Sequence, residues 1–177
     1  SSNFHEGDIV RSNIGWQEWS SIPAHKASRV DTSLGPISTA LGVLGMPGLT
    51  AYYGLLEVCR PKAGETLVVS AASGAVGAVV GQIGKINGCR VIGVAGSDEK
   101  CAYVVNELNF DAAINYKKQD VSAELFRLAP EGIDTYFDNV GGPVSDAVFD
   151  NLCHRRQVLA VMRFAVTDRA VIRGDLD

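Results

Sequence analysis

The chain is poor in the residues from which metal sites and disulfide scaffolds are built. Four cysteines and three histidines occur among 177 residues. They are scattered: Cys59, Cys89, Cys101 and Cys153, with His5, His25 and His154. No CxxC or HxxxH spacing occurs, so no zinc site is expected. The thiols read as buried and reduced, as in a cytosolic protein, and the histidines as solvated surface groups. Positive charge is scarce too. Sixteen Lys and Arg face twenty Asp and Glu, for a net charge of −4. With no basic cluster, a nucleic-acid partner is not expected. No apolar run reaches membrane-spanning length, and no signal peptide is visible. The expected setting is cytoplasmic, without a membrane partner.

What is present is an ordinary globular composition, 46% hydrophobic and 20% charged, with glycine unusually grouped. The stretch SAASGAVGAVVGQIGK (residues 70–85) holds Gly74, Gly77, Gly81 and Gly84. Glycine inside a helix is costly, yet Val76, Val79, Val80, Ile83 and Ile86 follow helical spacing. Just before them, Leu67, Val68 and Val69 read as a buried parallel strand. Strand, tight turn and helix in that order suit a phosphate, which approaches bare backbone at a helix N-terminus. Gly81 suits close packing of helix on strand. The spacing is not GxGxxG, since Ala72 stands at the first glycine position. A small-residue helix packed tightly on a sheet explains the same letters.

Downstream, strands are expected over 66–70, 90–95, 112–116, 135–139 and 157–161, with helices between them near 98–109, 121–128 and 144–152. This rhythm predicts an α/β fold, a doubly wound parallel sheet of the Rossmann type. Upstream, residues 4–10 and 15–20 read as short aromatic strands, and 37–59 as two helical pieces broken at 45–48. Four unusual loops then fall on one edge of the sheet: the glycine turn, AGSDEK (95–100), NYK (115–117) and DNVGG (138–142). Ligands bind at that edge in such folds.

The second strand speaks to the nucleotide. An NAD site usually ends it with an acid that accepts from the ribose hydroxyls. Here Gly96 and Ser97 stand there, with Lys100 shortly after. A small residue and a lysine suit a 2′-phosphate, so the reading is NADP. In the competing reading, Asp98 and Glu99 favour a helix N-terminus and Lys100 is solvated. Tyr116 contacts the adenosine end or caps the sheet edge. Asn139 can hydrogen-bond a cofactor. Asp138 reads as structural, because a carboxylate beside phosphate would repel it.

Together, GMPGLTAYYGLLE, AASGAVGAVVGQIGK, GVAGSDEK, ELNFDAAINYKK and GIDTYFDNVGG closely resemble the medium-chain dehydrogenase/reductase superfamily. Within it, they are similar to the zinc-independent branch of prostaglandin, curcumin and 2-alkenal reductases. The resemblance runs from about residue 42 to 152, and residues 4–20 resemble the end of that family's GroES-like domain. It implies a domain remnant over 1–35 and an NADP-binding domain over 36–177. It implies NADPH as cofactor and an α,β-unsaturated ketone or aldehyde as substrate. Hydride would reach the β-carbon and a proton the α-carbon. Gly74, Ala75, Val76 and Gly77 would hold the pyrophosphate, Gly96, Ser97 and Lys100 the 2′-phosphate region, Tyr116 the adenosine side and Asn139 the centre. Tyr52 would lie near the nicotinamide as the catalytic candidate; otherwise it is a core aromatic. A homodimer joined at the edge strand RFAV (163–166) is also implied. A quinone oxidoreductase of the same superfamily and a non-catalytic nucleotide-binding module are the alternatives.

The chain departs from this pattern at its ends. Most of the catalytic domain and a tyrosine-bearing loop after the fifth strand are absent. A direct join at Val161–Met162 leaves no crossover between two parallel strands, which need a dozen or more residues. Residues missing at that join are therefore expected, rather than a true truncation. An intact mass of 18.8 kDa would refute this.

Overall fold

The computed structural model describes residues 4–160, with 153–160 described by backbone alone. The two aromatic segments at the N-terminus do not form the expected strands. The regular structure there is a two-residue antiparallel pair, β1 (Val10–Arg11) with β2 (Ser28–Arg29). Trp16 and Trp19 are fully open to solvent. A short ribbon with nothing to cover it has little to hold it together.

Residues 37–59 do form two helical pieces, but the break comes earlier than 45–48. A 3₁₀ turn (Ile37–Leu41) ends before α1 (Met46–Tyr52), which runs on as wider π-helical turns over Tyr53–Cys59. Pro47 lies in the first turn of α1, where its missing N–H costs nothing. A Cβ at Gly48 would lie 1.7 Å from the Val43 carbonyl oxygen, so the close approach there requires glycine.

Leu67, Val68 and Val69 offer no polar face, so their strand must be covered on both sides. It is. Strand β3 (Thr66–Ser70) is central in a five-stranded parallel sheet with β4 (Arg90–Ala95), β5 (Ala112–Asn115), β6 (Ile133–Asp138) and β7 (Leu152–Ala160), in the order β5-β4-β3-β6-β7. On one face, Leu67, Val69 and Val91 pack with Val80 of α2 (Gly77–Ile86), Val104 of α3 (Asp98–Asn106) and Leu55. On the other, Val68, Ile92, Ile114 and Tyr136 pack with Leu125 of α4 (Val121–Leu128) and Val148 of α5 (Pro143–Phe149). This is the doubly wound α/β sheet that the strand–helix rhythm predicts. Its order reverses between β3 and β6, which opens the crevice where such sheets bind ligands.

Strand β7 begins at Leu152, earlier than expected. The register slips between Ile133 and Thr135, whose partners are Leu152 and Gln157. The extra residues of β7 are absorbed in that irregularity. The RFAV edge strand and the Val161–Met162 join lie outside the described residues.

Two glycines of the helix serve packing, with one change of partner. A Cβ on Gly84 would come within 2.6 Å of Leu67 Cδ2 on β3. Gly81, expected to face a strand, instead accommodates Phe110, whose Cζ would be 1.8 Å from an added Cβ. Phe110 is buried just before β5 and also lies beside Gly93 of β4, at 3.1 Å from a Cβ built there.

Candidate functional site

The glycine turn lies at the C-terminal end of the central strand. Ala71, the first residue after β3, has φ 48°, a left-handed conformation that alanine rarely adopts. Its carbonyl accepts from the Gly74 amide at 2.8 Å and closes the turn. Gly77 then starts α2 so close to this turn that a Cβ would lie 2.4 Å from the Ala71 carbonyl oxygen. The amides of Ala78 and Val80 turn back onto the carbonyls of Gly74 and Val76. Among the described residues, the amides of Ala75, Val76 and Gly77 have no backbone acceptor. Bare backbone, free N–H groups and a ten-residue helix behind them fit an anionic diphosphate.

Across the crevice, a buried network fixes the end of β6. Asp138 Oδ1 accepts from the Ser70 hydroxyl (3.1 Å), the Tyr136 hydroxyl (3.0 Å) and the amides of Val140 (3.0 Å) and Gly141 (2.9 Å). Its Oδ2 accepts from the Ser145 hydroxyl at 2.7 Å. Burial pushes the Asp138 carboxyl up, but Ser145 and the two amides outweigh it and hold it below the usual carboxylate value. Burial also pushes the Tyr136 phenol well up, so it stays a neutral donor. Asp138 is therefore structural, as its letters suggest. Asn139 belongs to the same network: its amide N–H donates to Ser70 Oγ (2.7 Å) and its Nδ2 to the Ser70 carbonyl (2.8 Å). Sequence reasoning missed Ser70, Tyr136 and Ser145. A serine closing a buried strand was the available signal.

At the end of β4, Ser97 caps α3, its Oγ accepting from the Lys100 amide at 3.3 Å. Gly96 is small because Tyr116 lies over it, with the hydroxyl 3.0 Å from where a Cβ would stand. Tyr116 is half exposed and so presents a ring surface at the edge. Asp98 accepts from Asn115 Nδ2 at 2.5 Å and pairs with Lys118. Lys118 first, then Asn115, holds the Asp98 carboxyl below its ordinary value. Lys100 is exposed and forms no ion pair among the described residues. Gly74 to Gly77, Gly96, Ser97, Lys100, Tyr116 and Asn139 thus all lie on the loops and first helical turns that follow strands β3, β4, β5 and β6.

Tyr52 lies at the end of α1. It is 48% exposed and meets Tyr53 edge to face, with ring centroids 5.6 Å apart, so it is not a core aromatic. Cys59 and Cys89 are buried free thiols, and burial pushes Cys59 up to about 12. Cys101 is only partly buried.

The family model described as "Zinc-binding dehydrogenase" matches residues 75–162. A 2-alkenal reductase (NADP(+)-dependent) of Nicotiana tabacum is 52% identical over 151 residues, which are 84% of this chain and 44% of that protein. Prostaglandin reductase 1 of Mus musculus is 52% identical over 151 residues, 83% of this chain and 46% of the relative. This chain belongs to the medium-chain dehydrogenase/reductase superfamily. Within the family it stands with the prostaglandin, curcumin and 2-alkenal reductases. The crystal structure of CurA from Vibrio vulnificus in complex with NADPH superposes with a TM-score of 0.85 at 43% identity, covering 96% of this chain and 51% of that one. The chain spans about half the length of the family members it matches or less. Among its described residues, no helix is long and apolar enough to cross a membrane.

Proposed function

We propose that this chain is the cofactor-binding part of an NADPH-dependent reductase acting on the carbon–carbon double bond of α,β-unsaturated ketones and aldehydes. The observation that carries the reading is the glycine turn at the topological switch point, with the free amides of residues 75–77 at the start of α2. The relatives' names, and the NADPH held by a structure of the same fold, support the same cofactor. NADPH, when bound, supplies the hydride. The residues of this chain bind and orient it. Amides 75–77 cradle the pyrophosphate, and the Lys100 ammonium neutralises the 2′-phosphate beside Gly96 and Ser97. Tyr116 flanks the adenosine, Asn139 holds the middle of the dinucleotide, and Tyr52 faces the nicotinamide end as the catalytic candidate.

The reading includes a domain remnant over 1–35, a cofactor domain over 36–177, a homodimer and a cytoplasmic setting. It assigns no resident zinc. Among the described residues, no group of three or more His, Cys, Asp or Glu side chains is placed to hold a metal.

The test is titration of the whole chain with NADPH and NADH, followed by nicotinamide fluorescence, and then turnover of a small enone. Lys100→Ala is expected to weaken NADPH about tenfold, the worth of roughly 1.4 kcal/mol, and to leave NADH unchanged. Equal loss for both dinucleotides would remove Lys100 from the phosphate site. NADPH binding without turnover would leave a nucleotide-binding module, and faster reduction of quinones than enones would move the substrate class.

A further inference from the structure

Asn139 is the first residue after β6, at the point where the strand order reverses. Its side chain is partly exposed, yet it is not free to turn. Two hydrogen bonds tie it to Ser70, the last residue of β3, which directly precedes the glycine turn. Ser70 is fully buried, and its hydroxyl has one proton to give. The Asp138 carboxylate accepts that proton at 3.1 Å. Toward Asn139 the Oγ can then only accept, and it takes the main-chain N–H at 2.7 Å. The Ser70 carbonyl, which also only accepts, takes Asn139 Nδ2 at 2.8 Å. A carbonyl on that side fixes which way round the carboxamide lies. Among the described residues, Asn139 Oδ1 receives no hydrogen bond. One Nδ2 hydrogen remains as well. The free edge beside the glycine turn thus offers an acceptor next to a donor.

We propose that Ser70 is a positioning residue, which sets the Asn139 carboxamide so that its free oxygen takes a hydroxyl or amide N–H of the dinucleotide and not a phosphate. A pyrophosphate diester has no proton to give and repels a carbonyl oxygen. A hydroxyl or a carboxamide answers both halves of the free edge. The two strand ends then divide the work. The turn after β3 meets the pyrophosphate with its amides, and the end of β6 meets an uncharged group beside it. This rests on the cofactor reading given above.

The test uses the whole chain, with NADPH affinity read by nicotinamide fluorescence. Inorganic pyrophosphate, added as a competitor, reads the glycine turn alone. Asn139→Ala is expected to weaken NADPH about fivefold to tenfold, the worth of one hydrogen bond. Ser70→Ala is expected to weaken it about threefold by itself. Added to Asn139→Ala, it is expected to cost less than about twofold more, because Ser70 acts through the residue already removed. Pyrophosphate affinity is expected to stay at the wild-type value in all three variants. Asn139→Gln carries the same carboxamide one methylene further, off the Ser70 carbonyl. It is expected to bind NADPH no better than Asn139→Ala, and it tests the same point if Ser70→Ala fails to fold. Losses that multiply independently, or wild-type affinity in Asn139→Gln, overturn the proposal alone. So does a parallel loss of pyrophosphate, which would mean that the two residues only brace the turn. A wild type that binds neither NADPH nor pyrophosphate overturns the cofactor reading and the proposal with it.

Discussion

In Gly77→Val, NADPH affinity is expected to fall by about a hundredfold or more, a loss of roughly 3 kcal/mol, while far-ultraviolet circular dichroism stays close to wild type. The reason is local. A Cβ at residue 77 would lie 2.4 Å from the Ala71 carbonyl oxygen and 3.0 Å from Ala72 Cα. Both are backbone atoms, so no side chain can rotate away. The turn itself must shift, and Ala71 already holds a positive φ within it. Moving the turn carries the amides of residues 75–77 off the position that would meet a diphosphate. The sheet and its two cores lie beneath and need not follow. Fluorescence titration gives the affinity and circular dichroism the fold. Wild-type binding in this variant would mean that the glycine turn is not the phosphate site.

The second large effect is on stability. Asp138→Ala is expected to cost about 3–5 kcal/mol, since a buried donor left without its acceptor costs about 1–3 kcal/mol and several lose it together. Three hydroxyls and two amides lose their acceptor at once, and each buried donor left unpaired adds to the loss. Urea unfolding at pH 7 measures it, and a shift of the midpoint worth less than about 1 kcal/mol would show that the network contributes little. The wild type should carry a matching pH signature. The folded carboxyl is held below its ordinary value, so its contribution is fully present above the unfolded pKa of about 3.9. It is lost as the pH falls through the lower folded value. The stability gap between wild type and Asp138→Ala is therefore expected to narrow in acid.

Much of this architecture can be read from the chain because its signals are periodic. Runs such as 67–69 and 91–95 are apolar without interruption, which only a doubly covered strand tolerates, and the helices between them follow a 3.6-residue period. Loop letters marked the candidate edge in another way: glycine, serine and asparagine gather where strands end. Three things escaped. The strands expected at 4–10 and 15–20 needed partners that the local letters cannot supply. The start of β7 depended on a register slip against β6, which is a property of the pair and not of either strand. The Ser70–Tyr136–Asp138–Ser145 cluster hangs on a bond between Ser70 and Asp138, 68 positions apart, and no spacing rule links them. Asp98 shows a subtler limit. Its position was legible, but its engagement with Asn115 and Lys118 was not, because that depends on how β5 is placed beside β4.

Phe110 sets a constraint of another kind. Its ring fills the room left by Gly81 on a helix and Gly93 on a strand, so three separated positions share one fixed volume. None can enlarge by drift alone, since overpacking such a site costs about 1–3 kcal/mol. An alanine at 81 becomes tolerable only after the ring at 110 has shrunk, and the order of those steps matters. Substitution histories at 81, 93 and 110 are thereby tied together, although none of the three is placed against the cofactor.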